Sequence, residues 1–195
     1  MTRLLLIPVA FVGATLLVAG PIHRLDGQAP PKWTTTTDIL REHEWGDATN
    51  NLLDIAEAMP DDKYSFRPNA QMRSFGEIVG HITDVQFGFC DAARSVKVDR
   101  GSWEKKPSKV DALAGLRASI AACDSAFDQL TDAKLTAVSG KTITADIFVT
   151  MLGHTRRETG KLVAYLPIAG VKPPEIHYMR GRAWRTAPPA GERQP

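Results

Sequence analysis

The chain has no dense run of basic residues. Its 24 lysines and arginines against 22 acidic residues leave a formal charge of +2, and they are scattered along the sequence, which argues against a nucleic-acid groove. A late cluster of arginines (Arg180, Arg182, Arg185, Arg193) sits among Pro and Gly and reads as a solvated tail. Strand-like alternation and internal repeats are both lacking, so the pattern argues against a sheet or a repeat array. Only two cysteines occur, and neither lies directly after the N-terminal apolar run, which argues against a lipoprotein anchor. What remains is a chain of 195 residues, 43% apolar and 24% charged, the balance of a globular domain with one packed core.

The N-terminus carries Arg3 and then an apolar and small-residue run from Leu4 to Gly20. This is the pattern of an export signal. The run lies between a secretory h-region and a short membrane span, so cleavage and an uncleaved anchor are both open, and we read it as cleaved. Gly27 and Ala29 suit the small-residue rule for a cleavage site, although Pro30 disfavours cutting directly after Ala29. Residues 1–29 are thus assigned to signal and processing, and a periplasmic or secreted location is expected. Membrane contact is expected only if this segment is retained. Export changes the reading of Cys90 and Cys123, because oxidising compartments let disulfides persist. They either bridge two helices or serve as two small buried hydrophobes.

After a linker (30–37), four amphipathic segments follow. Thr37 or Asp38 caps a helix that Pro60 stops, with Ile39, Leu52, Ile55, Ala56 and Met59 as its apolar face. Ser74 caps a second helix over FGEIVGHITDVQFGFCDAA, whose stripe of Ile78, His81, Ile82, Val85 and Phe89 includes a histidine. Ser108 caps a third, with Leu113, Leu116, Ile120, Phe127 and Leu130 as core candidates. Thr131–Lys141 reads as a loop, and a fourth helix runs from Thr142 or Thr144 to about Leu166. The expected fold is all-α, a four-helix bundle over residues 38–174 followed by a flexible Pro/Arg tail over 175–195. Bundles of this kind build ligand and metal sites from side chains facing the core.

The fourth helix departs from a plain core pattern. Ile147, Met151, His154, Glu158, Leu162 and Tyr165 fall in one narrow arc at 100° per residue. An imidazole and a carboxylate buried on that arc cost several kcal/mol unless partnered. One explanation is a divalent metal held by His154, Glu158 and His81, with at least one coordination position left open. The plainer alternative is a core hydrogen bond for His81 and a rim ion pair between Glu158 and Lys161 or an arginine. Asp84 and Glu77 lie about one turn from His81 and are candidates to orient its ring. His43 is a further candidate ligand with an ordinary surface role as the alternative, and Tyr165 is read as core.

The stretches MPDDKYSFRP, RSFGEIVGHITDVQFGFC and GHTRRETGKLVAYLPIAGVKPP together resemble the DinB-like superfamily, a YfiT-like four-helix metalloprotein fold. The resemblance spans roughly Asp38–Pro174. It implies that His81 is a ligand and that the last helix supplies two more, four residues apart. His154 matches the first of that pair, and Glu158 stands where the family has a second histidine. This replacement either favours harder ions such as Mn²⁺ or Fe²⁺ relative to a three-histidine site, with Zn²⁺, Ni²⁺, Mn²⁺ and Fe²⁺ all left open, or marks a lost or weakened site. The resemblance further implies activation of a water or thiol toward a small substrate, in hydrolase- or transferase-type chemistry, and a tendency to form homodimers. Low-molecular-weight thiols are mainly cytosolic, so export shifts the balance toward hydrolysis or simple metal binding. The alternative function is a non-catalytic helical binding or scaffold module with a degenerate site.

Overall fold

The computed structural model describes residues 33–182. The signal and processing region, residues 30–32 of the linker and residues 183–195 lie outside the described residues. A first long helical segment is composite: α1 (Thr36–Asp38), a π-helical stretch over Ile39–Trp45, and α2 (Gly46–Ala58). The wider π turn resets the helical register. Ile39, expected on the apolar face, is therefore 42% exposed, while Leu52, Ile55, Ala56 and Met59 are buried as expected. Three helices follow as expected, α3 (Phe75–Ala93), α4 (Lys109–Asp128) and, after a short insertion, α6 (Thr144–Ile168).

Local chemistry sets the helix starts. The Ser74 hydroxyl accepts from the Glu77 N–H and the Glu77 carboxylate accepts from the Ser74 N–H at 2.6 Å, a reciprocal capping box. Ser108 caps α4 through the Asp111 N–H. The stretch read as a loop over Thr131–Lys141 instead contains α5 (Asp132–Leu135) and the first strand of a two-residue hairpin, β1 (Val138–Ser139) with β2 (Thr142–Ile143). Such short elements carry too few residues for a periodic signal. Among the described residues no helix is long and apolar enough to cross a membrane.

Residue pairing shows how the four long segments run. Gln86 meets Ser119, and Cys90 meets Cys123, each pair 33 residues apart; the constant offset means that α3 and α4 are parallel. Gln86 also meets Thr155 while Cys90 meets Met151, so α6 is antiparallel to α3. Trp45 bonds Asp124, and Lys109 bonds the carbonyls of Glu57 and Met59, so α2 is antiparallel to α4. Parallel neighbours need a crossover that travels the length of the helix. The segment between Arg94 and Ser108 makes this return along α3.

The crossover is seated by glycines. A Cβ on Gly80 would lie 2.4 Å from the Trp103 carbonyl oxygen, and one on Gly115 would lie 2.3 Å from the Trp103 ring. The Trp103 segment thus wedges between α3 and α4 where neither helix carries a side chain. At the other end of the pair, Cys90 and Cys123 form a disulfide with a Cα–Cα distance of 5.0 Å, so the bridging alternative holds. The stretch read as the start of a tail is also engaged. Backbone N–H groups of Met179, Arg180 and Gly181 donate to the Asp47 carboxylate, with 2.9 Å from Arg180, and the Asn51 side chain bonds both the N–H and the carbonyl of His177. Residues 175–182 therefore run back along α2.

Candidate metal centre

His81 and His154 come from facing turns of α3 and α6. Their Nε2 atoms are 3.1 Å apart. One oxygen of Glu158 joins them, so that the three ligand atoms lie within 4.8 Å of one another. The three residues singled out from sequence converge, although His154 sits at the edge of the buried stripe and Glu158, 2% exposed, lies inside it.

The supporting groups differ from the sequence expectation. His81 Nδ1 lies 3.3 Å from Glu104 Oε2, and Arg73 Nε donates to Glu104 Oε1 at 2.7 Å. Glu104, on the crossover, is thus the carboxylate that orients the His81 ring. Asp84 does not do so. Its carboxylate accepts from the Ser102 hydroxyl and from the N–H groups of Trp103 and Glu104, at 2.9, 2.8 and 3.2 Å, and so holds the loop that presents Glu104. Glu77 is used by the capping box and by Arg67. His43 is outside the cluster, stacked on Trp33 with ring centroids 5.0 Å apart and Nε2 at 3.6 Å from Asp47. Tyr165 is buried, and its hydroxyl donates to the Arg73 carbonyl.

Hydrogen bonding constrains the protons. A proton on His81 Nδ1 faces Glu104, which leaves the Nε2 lone pair pointing at His154. His154 Nδ1 is buried with no hydrogen-bond partner among the described residues. In the ion-free protein its proton is best placed on Nε2, donated to His81. Burial, and then the charge of His81, hold the His154 pKa below the ordinary imidazole value, with Glu158 partly opposing. His154 is thus kept neutral, the form that ligates. Burial pushes the Glu158 carboxyl upward, but Lys161 and Arg157 outweigh it and the net shift is downward. Glu158 is therefore ionised, as a ligand must be.

The donor set fits a divalent ion. Two imidazole nitrogens at about 2.0–2.1 Å from one ion at a tetrahedral angle stand roughly 3.3 Å apart, close to the observed 3.1 Å. Beside the cluster opens a cleft of about 470 Å³ lined by Met72, Arg73, Ile78, Glu104, Glu158, Lys161 and Tyr165. Sequence reasoning missed Glu104. It lies in an irregular loop whose path is set by crossover topology, and the one local signal was an isolated Trp103 in a polar segment.

Comparison with known proteins agrees with this architecture. The chain is similar in fold to the crystal structure of a DinB-like protein from Bacillus cereus ATCC 10987, with a TM-score of 0.58 and 16% identity. That match covers 68% of this chain and 93% of the other. No curated protein matches the chain. The sequence profile of the DinB superfamily matches residues 44–162, more than half of the chain, and with the helical fold and the convergent His81, His154 and Glu158 it leads to one assignment: the chain belongs to the DinB superfamily.

Proposed function

We propose that the protein is an exported, divalent-metal-dependent member of this superfamily that activates a water or thiol for attack on a small electrophilic substrate. The observation that carries the reading is the His81–His154 pair, with Nε2 atoms 3.1 Å apart and an ionised, buried Glu158 beside it. His81, His154 and Glu158 would hold the ion. When bound, it supplies an electrophile that acidifies water or a thiol. Glu104 keeps the His81 proton on Nδ1 and so keeps Nε2 available, and Asp84 and Arg73 hold Glu104 in place. The cleft lined by Met72, Ile78 and Tyr165 offers an apolar wall for a substrate, with Arg73 and Lys161 at its polar side. The buried disulfide supports export, since such bonds persist in oxidising compartments, and export in turn favours hydrolysis over thiol transfer.

One observation favours the non-catalytic alternative: Lys161 and Arg157 already partner Glu158, so the carboxylate is satisfied without an ion. Metal content separates the two readings. The purified mature protein is refilled with first-row ions, and bound metal is measured for wild type, His154→Ala, Glu158→His and Glu158→Leu. Stoichiometric metal in wild type, its loss in His154→Ala and Glu158→Leu and its retention in Glu158→His are expected. Absence of bound metal from refilled wild type would overturn the proposal.

A further inference from the structure

Glu158 is caught between two claims. Lys161 Nζ lies 2.8 Å from both of its oxygens, and Arg157 Nε lies 3.2 Å from Oε1. A carboxylate has about four lone-pair sites, and these three contacts leave little room for a further ligand bond. Yet the carboxylate is buried, and one of its oxygens is among the ligand atoms gathered within 4.8 Å. The two cations are placed differently. Their side chains are 46% and 66% exposed, so either can swing into water at small cost.

We propose that Lys161 is the determinant of metal affinity at this centre, a resident counter-cation that holds Glu158 when no ion is bound and must be displaced for Glu158 to become a ligand. The inference rests on the metal-site reading above. Its physical basis has two parts. A buried carboxylate without a partner is costly, so the ion-free protein needs the ammonium. An incoming divalent ion then competes with that ammonium for the same oxygens and is repelled by it as a like charge. The exposed stem of Lys161 makes the exchange reversible. A centre built this way binds its ion above a threshold set by Lys161, even though all three ligands are already gathered.

The test is the equilibrium affinity of the full mature protein for Co²⁺, read by its visible absorption, and for Zn²⁺, read by competition with a chromophoric chelator. Lys161→Met should tighten both by about tenfold or more, equivalent to ~1.4 kcal/mol. Lys161→Arg, which keeps a cation, should stay within about threefold of wild type. In a Glu158→Gln background the gain from Lys161→Met should shrink to about threefold or less, the residue of like-charge repulsion, because the competed carboxylate is gone. Lys161→Gln serves as a second neutral variant, with circular dichroism checking the fold of each. Unchanged or weaker binding in both neutral variants, while His154→Ala still abolishes binding, overturns the role of Lys161 and leaves the metal site standing. A purely structural Lys161 gives that result, since its loss would leave Glu158 less well ionised. Absence of Co²⁺ binding in both wild type and Lys161→Met overturns this inference and the metal site together.

Discussion

Replacing Gly80 by alanine tests the path from sequence to site most directly. Gly80 lies inside α3, where alanine is ordinarily favoured over glycine by about 1 kcal/mol. Here the added Cβ would sit 2.4 Å from the Trp103 oxygen, 2.6 Å from its carbonyl carbon and 2.7 Å from the Glu104 Cα. All three are backbone atoms, roughly 1 Å inside ordinary carbon contact distances, so no side-chain rotation relieves the clash. The crossover must back away from α3. That movement strains the Asp84 bonds to Ser102, Trp103 and Glu104 and withdraws Glu104 from His81. An overpacking cost of ~1–3 kcal/mol set against the propensity gain leaves a net destabilisation of up to about 2 kcal/mol. Gly88 lies on the same helix, and a Cβ added there would meet nothing within 4 Å, so Gly88→Ala should stabilise by about 0.5–1 kcal/mol. Urea unfolding of both variants reads the opposite signs. Loss of the carboxylate behind His81 should also weaken Co²⁺ binding by about 10–100-fold in Gly80→Ala and leave it unchanged in Gly88→Ala. Equal stabilisation of the two variants, with equal metal affinity, would refute the seating of Glu104 by Gly80.

Three further outcomes are expected. Removing the Cys90–Cys123 bridge by a double alanine substitution should cost ~3–4 kcal/mol, from the loop closed over a sequence separation of 33; two free thiols in the denatured, unreduced protein would contradict the bridge. Hydrogen bonds from Ser74, foremost its backbone N–H, hold the Glu77 carboxyl below its usual value of 4.5, so this cap contributes fully above that pH and loses its contribution as pH falls through the lower folded-state value. Glu77→Gln should therefore be less stable than wild type by about 1 kcal/mol at pH 7, the gap closing below pH 4.5; a gap independent of pH would exclude the charged cap. Asp47→Asn should release residues 175–182 from α2 at a cost of ~2 kcal/mol, seen as faster tryptic cleavage after Arg180 and Arg182; an unchanged cleavage rate would show that the Asp47 contacts do not hold the segment.

Helix positions were legible because capping and periodicity are local. Ser74 and Ser108 start α3 and α4 through side-chain bonds to backbone N–H groups three residues on, and Pro60 and Gly170 lie just past the ends of their helices. The π stretch was not legible, since it leaves the composition of the helix intact while changing its turn, and this is why Ile39 left the expected face. The candidate ligands were legible for a different reason: His81, His154 and Glu158 are polar residues on apolar stripes, and the resemblance to the DinB-like superfamily matched His81 and His154 to ligand positions.

Their supporting groups could not be read in the same way. Asp84 and Glu77 have the right helical spacing from His81, yet spacing along one helix does not say which other element is packed against it. The chain itself determined four amphipathic helices, the Ser74 and Ser108 caps, two paired-or-buried cysteines and three polar residues on core stripes, because each follows from interactions over a few residues. The first helix is capped by Thr35 and not by Thr37 or Asp38. Only the tertiary structure decided that α3 and α4 run parallel. That arrangement forces a crossover back along α3, seats Trp103 on two glycines and delivers Glu104 to His81, a contact between residues on different elements that no local periodicity encodes.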